Sequence, residues 1–178
     1  GLARALVTDV KAGHVVEGGS TITQQLAKIS FLSPEQTLLR KAQEIVLAFW
    51  LEARLGKDQI LSRYLSSVYF GDNVYGLRAA AQHYFSREPE DLTVEQAAML
   101  AGLLKAPSSL APTGNLAAAR KREKVVVEAM VAAGMLTPAQ ARALPRVRLK
   151  IGGVEDLPTG SYFADWVLPQ VQASLNAK

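Results

Sequence analysis

The chain has 178 residues, 49% of them apolar, a net charge of +4 and no cysteine. That length supports one domain with a sizeable core, and the missing cysteines exclude a disulfide framework and any cysteine-ligated metal. No stretch approaches the roughly 18 apolar residues of a membrane-crossing helix, and the excess of alanine and leucine over aromatic and β-branched residues favours an all-α fold.

Leu2 to Ala12 carry the spacing of a short helix ended by Gly13. The chain opens on Gly1 inside that pattern, so it is expected to be a piece of a longer protein whose signal or anchor lies outside it. The stretch GGSTITQQLAK, Gly18 to Lys28, is unusually polar. Gly18 and Gly19 make a joint, and Thr21 with Gln24 fits a capping box that starts a helix through about Ile29. Thr-Ile-Thr is also β-prone, but the glycine pair before it and QQLAK after it favour helix. Ser33-Pro-Glu-Gln36 is a second start, predicting a helix to about Leu55 that stops at Gly56. Its run Ile45–Leu51 is apolar on every side and predicts a central, buried helix.

Lys57–Phe70 predicts another helix, ended by Gly71-Asp72-Asn73, and Tyr75–Phe85 a further one. Leu92–Lys105 follows, with Thr93 as cap and Gln96 as its partner. After the break at Ala106–Gly114 comes a long helix from Asn115 to about Ala133, with Gly134 past its end, and then a short one at Thr137–Leu144. Pro145–Gly160 is extended and punctuated, a linker or short strand pair, and Ser161–Leu175 begins a new helix interrupted at Pro169. The organisation is a compact helical domain over 1–144 and a connector over 145–178. Two basic clusters, Ala119–Lys124 and Arg146–Lys150, are either solvated faces or surfaces suited to anions.

Two groups of residues could carry chemistry. Arg40, Lys41 and Glu44 share one helix face, Arg40 roughly 40° and Lys41 roughly 60° from Glu44 at about 100° per residue. Burial beside the apolar run raises the Glu44 pKa, whereas the two cations lower it, a balance found both in working carboxylates and in structural ion pairs. In the polar stretch, Gln24 and Lys28 lie one turn apart at a helix N-terminus, with Gln25 flanking and glycines before it. That group suits a phosphate or a sugar, or is an ordinary capped surface helix. His14 and His83 stand alone, without metal-ligand spacing, and read as structural or solvent-exposed. No Walker loop, no G-x-S-x-G and no zinc pattern is present. The nucleic-acid reading lacks a basic recognition helix behind Thr93–Pro107.

Four blocks in this order and spacing, GGSTITQQLAK, RKAQEIVLAFWLE, KDQILSRYLSSVYFGDNVYGLRAAAQHYF and AAMLAGLLKAPSSLAP, resemble the peptidoglycan glycosyltransferase domain, glycosyltransferase family 51. That domain occurs in class A penicillin-binding proteins and monofunctional transglycosylases. The resemblance covers Gly1 to about Leu144, and GSYFADWVLPQV is similar to the segment leading toward a transpeptidase domain. It implies a lysozyme-like all-α fold with a head lobe and a small, membrane-associated jaw. It implies polymerisation of lipid II into β-1,4-linked glycan, with inversion and loss of undecaprenyl pyrophosphate. Glu44 matches the family's second functional glutamate, near the leaving pyrophosphate, and Lys41 its adjacent lysine. Ser20, Thr21, Gln24 and Lys28 match the donor-site block, and Arg40 joins the cations that meet developing pyrophosphate charge. No obligatory cofactor is implied, and a divalent cation, Mg or Mn, stays open at the pyrophosphate. The implied partners are lipid II, the growing glycan strand, the inner-membrane surface and cell-wall synthesis proteins, with no nucleic acid. The implied location is the outer face of the bacterial cytoplasmic membrane, with an anchor outside this chain.

The chain also departs from the family. Its first motif, E-D-x-x-F-x-x-H-x-G, is not among these residues, so the general base on the acceptor hydroxyl is expected outside them and the isolated chain is expected to be inactive. Ile29 stands for the usual Asn, Gln36 for an Arg, and Ser62 and Ser66 for a Glu and an Asn. These departures motivate an alternative, a catalytically degenerate module that binds lipid II or scaffolds the cell-wall machinery. A lysozyme-like hydrolase fits the implied fold but not the Lys28 and Lys41 cluster.

Overall fold

The computed structural model describes residues 20–32 and 37–151. The helices predicted at Leu2–Ala12 and Ser161–Leu175, the joint at Gly18–Gly19, His14 and the start at Ser33–Gln36 lie outside the described residues. Within them the chain is helical: α1 (Ile22–Phe31), α2 (Leu38–Arg54), α3 (Lys57–Ser67), α4 (Leu77–Phe85), α5 (Val94–Leu103), α6 (Pro107–Leu110), α7 (Pro112–Ala132) and α8 (Pro138–Ala143), with a 3-10 turn at Pro89–Asp91. The described residues form no strand beyond one isolated bridge between Tyr69 and Tyr75. The all-α expectation therefore holds.

The helix starts follow their capping chemistry. At α1 both arms of the box form: Gln24 N donates to Thr21 Oγ1 at 3.2 Å and Thr21 N to Gln24 Oε1 at 3.0 Å. At α5 Thr93 N donates to Gln96 Oε1 at 3.0 Å. Thr137 caps α8 in the same way. The helix of α7 proper starts where Asn115 breaks the helical backbone and its Oδ1 accepts from Ala118 N at 3.0 Å. The turn after α3 runs through left-handed backbone at Gly71, Asp72, Asn73 and Gly76. A side chain at Gly76 would sit 2.7 Å from the Ser66 carbonyl oxygen, so this turn needs glycine for space as well as for its φ of +85°.

The core gathers around α4. Tyr84 and Phe85 pack with Phe70 before it, Met99, Leu100 and Leu103 of α5, and Leu26, Ile60 and Tyr64 of α1 and α3. α7 lies along α5, and α1 is clamped between α2 and α3. The extended segment after α8 returns to this core: Val147 is fully buried, Lys150 N donates to Tyr84 O at 2.9 Å, and Arg120 donates to Val147 O at 3.0 Å.

One expectation about the fold is overturned. α2 is not a buried central helix. Its inward stripe is Glu44, Ala48 and Leu51, at i, i+4 and i+7. Leu38 is 92% exposed, Phe49 70% and Trp50 50%, and Leu39 and Val46 are also exposed. The apolar run suggested burial on all sides, but among the described elements α2 packs chiefly against α1 and, less extensively, α3. A helix with neighbours on one side buries one stripe whatever its outer residues are.

Glu95 on α5 and Glu123 on α7 are both buried, and Glu123 feels the charge of Glu95. Burial, then that charge, push the Glu123 carboxyl above its ordinary pKa, against the pull of Arg120 and Lys124. Here the folded state binds the proton more tightly, so this group's contribution to stability falls as pH rises from the unfolded pKa through the folded one. Glu123→Gln removes the charge and keeps the shape. It is expected to raise the Tm at pH 7 by roughly 2–4 °C, the effect of about 1 kcal/mol in a domain of this size, and by less at pH 4. Thermal melts at the two pH values check this; a variant melting no higher than the parent at pH 7 refutes it.

Candidate active site

The N-terminus of α1 and the first two turns of α2 meet at Glu44. Thr37 caps α2, accepting from Arg40 N at 3.1 Å, and so sets the register that turns Arg40, Lys41 and Glu44 to one side. The carboxylate of Glu44 is 2% exposed. Arg40 Nη1 lies 3.3 Å from its Oε2, and Lys41 Nζ is in direct contact with Oε1. Ser20, just before α1, lies across this pair: its Oγ is 3.1 Å from Glu44 Oε1 and accepts from Lys41 Nζ at 3.2 Å. The same Oγ is 3.1 Å from Gln24 Oε1, and its single proton serves one acceptor at a time. The charged carboxylate is the stronger acceptor.

Burial by itself would raise the Glu44 pKa. Hydrogen bonds from Lys41 and Ser20, and the charges of Lys41 and Arg40, outweigh it and hold the carboxyl below its ordinary value. Glu44 is therefore ionised at neutral pH. Its contribution to stability is present above the unfolded pKa and is lost as pH falls through the folded one.

Ser20, Gln25, Lys28, Arg40, Lys41 and Glu44 line one open hollow of about 590 Å³. The structure thus brings Ser20, Lys28, Arg40, Lys41 and Glu44 to one hollow. Thr21 and Gln24 are not among the residues lining it. Both are spent on the α1 cap, and Gln24 is buried. Gln25 takes the place at the wall expected of Gln24, its Oε1 accepting from the phenol of Tyr64 on α3 at 3.0 Å. The capping box engages the Gln24 Oε1, and the glutamine beside it points about 100° away.

Of the departures from the family, Ser62, Ser66 and Ile29 fall elsewhere. Ser62 and Ser66 line a separate hollow of about 1010 Å³ between α3, α4 and Pro89, and Ser66 Oγ donates to its own helix at Ser62 O, 2.8 Å away. Ile29 lies on the exposed surface of α1 and is not among the residues lining the Glu44 hollow. Gln36 lies outside the described residues. His83, read from the sequence as structural or exposed, pairs with Asp72 at 3.2 Å. Among the described residues no three of the side chains His, Cys, Asp and Glu come together. Among the described residues lining its hollow Glu44 is the one carboxylate, and Arg40 and Lys41 flank it. No helix of the described residues is long and apolar enough to cross a membrane.

Residues 1–131 match the family model for transglycosylases. Penicillin-binding protein 1A of Neisseria gonorrhoeae is 46% identical over 140 residues, which are 79% of this chain and 18% of that protein. Penicillin-binding protein 1F of Bacillus subtilis (strain 168) is 43% identical over 140 residues, 79% of this chain and 20% of that one. The chain thus spans about a fifth of the length of these curated relatives. The crystal structure of penicillin-binding protein 1A from Haemophilus influenzae aligns with 88% of this chain and 20% of its own at 21% identity and a TM-score of 0.49. With residues 1–131, about three quarters of its length, matched by the family model, the chain belongs to the transglycosylase family.

Proposed function

We propose that this chain supplies the donor side of a peptidoglycan glycosyltransferase that polymerises lipid II. The observation that carries the reading is a hollow lined by Lys28 in which Lys41 and Arg40 contact one buried, ionised Glu44, in a chain of this family. In the reaction an acceptor sugar hydroxyl attacks the anomeric carbon of the donor. The new C–O bond forms with inversion, the bond to the pyrophosphate oxygen breaks, and undecaprenyl pyrophosphate leaves with that electron pair. The hydroxyl proton passes to the base of the first family motif, which these 178 residues do not carry.

The protein's part here is electrostatic. Charge develops on the leaving pyrophosphate, and cations held in place beforehand stabilise it without reorganising during the step. Glu44 is suited to hold them: it touches Lys41 and Arg40, while Lys41 is exposed enough to reach a ligand. Ser20 ties the start of α1 to the same carboxylate. Ser20, Gln25, Lys28, Arg40 and Lys41 are the substrate-binding residues of this reading. The growing glycan strand is its second ligand, and the outer face of the bacterial cytoplasmic membrane, where lipid II resides, its location.

The test is incubation of the full-length protein containing this chain with lipid II. Glycan polymer is expected. Binding of lipid II without polymer, where a relative polymerises it under the same conditions, would instead identify a degenerate binding module. Release of reducing ends from finished peptidoglycan would identify a hydrolase.

A further inference from the structure

Gln25 stands on the wall of the Glu44 hollow, but nothing on its own helix orients its side chain. The orientation comes from α3, none of whose residues lines that hollow. Tyr64 is 3% exposed, and its hydroxyl donates to Gln25 Oε1 at 3.0 Å. Burial pushes the phenol pKa up, so it keeps its proton throughout the working range. A buried O–H needs an acceptor, and Gln25 Oε1 is the acceptor it has among the described residues.

The two ends of a carboxamide have nearly the same shape and opposite polarity. The partner on one side therefore decides which end faces the other side. With Oε1 held by Tyr64, the amide nitrogen and its two N–H donors are left for a ligand in the hollow. Turned over, the amide would present a carbonyl oxygen to the anion that Lys28, Lys41 and Arg40 attract, and the phenol proton would lose its acceptor.

We infer that Tyr64 is a positioning residue for the transferase site: from outside the hollow it orients the Gln25 amide so that the N–H groups face the pyrophosphate of the donor. The inference rests on the donor-site reading above. It gives the α1–α3 contact a role in turnover beyond packing, and it makes a residue of the third motif block act through the first.

The test is a double-mutant cycle in the full-length protein with lipid II as substrate. Tyr64→Phe keeps the buried ring and is expected to lower kcat/KM on the order of tenfold, the factor of one lost hydrogen bond, with a Tm lower by roughly 2–4 °C. Gln25→Ala is expected to cost as much or more. In the Gln25→Ala background, Tyr64→Phe is expected to change kcat/KM less than about twofold, because the group it acts through is gone. Equal factors in both backgrounds, or full activity of Tyr64→Phe alone, overturn the proposal. If the unsubstituted protein makes no polymer, the donor-site reading fails and a second measurement decides the proposal. The side-chain NH₂ resonances of Gln25 are then followed as inorganic pyrophosphate is added. A shift in the parent that is lost in Tyr64→Phe supports the proposal, and no shift, or the same shift in both, overturns it.

Discussion

In the full-length protein, Glu44→Gln is expected to lower kcat for glycan synthesis by roughly 10²–10³-fold, the loss typical of one preorganised electrostatic element, with an unchanged far-UV circular dichroism spectrum. The substitution keeps the size of the side chain and its place on the inner stripe of α2. It removes the negative charge that holds Lys41 and Arg40 side by side and accepts from Ser20. An amide there presents N–H donors to an ammonium and a guanidinium, so the cations separate and no longer wait in position for the leaving group. Arg40, itself mostly buried, loses the partner that offsets its desolvation, and a lower Tm is expected as well. Steady-state kinetics checks the first effect and thermal melting the second. Turnover within a few-fold of the parent would leave Glu44 as a structural ion pair.

The largest effect on the fold itself is expected at Tyr84. Tyr84→Ala should cost about 3–5 kcal/mol, the range for emptying a buried aromatic site. That is a large part of the roughly 5–15 kcal/mol that holds a domain together. Tyr84 is 0% exposed, and its phenol donates to Phe70 O at 3.1 Å. Its carbonyl accepts from Lys150 N, so one residue joins the turn after α3, the core of α4 and the segment that returns after α8. Tyr84→Phe keeps the packing and loses the hydrogen bond, with an expected cost of about 1 kcal/mol. Melts of the two variants separate the contributions. A Tyr84→Ala protein melting within a few degrees of the parent would mean that the core closes over the gap.

Signals in the chain are legible where the physics is local. The Thr21–Gln24 and Thr93–Gln96 caps start helices because a hydroxyl or amide three residues away reaches the free backbone N–H groups there. The face shared by Arg40, Lys41 and Glu44 follows from helical pitch alone. Partners far along the chain are not legible in this way. The capping box marks Gln24 locally, whereas Tyr64, the partner of Gln25, lies 39 residues away.

The sequence by itself determined the helical class, most helix starts, the family and the charged triplet of α2, since capping, pitch and motif spacing are properties of neighbouring residues. Only the tertiary structure decided that Ser20 bridges Lys41 and Glu44 and that Gln25 replaces Gln24 at the wall. It also decided that Ser62 and Ser66 belong to another hollow, and that the apolar run of α2 lies largely outside the core. Burial and hydrogen-bond partnership depend on which elements meet, and residues distant in the chain set that.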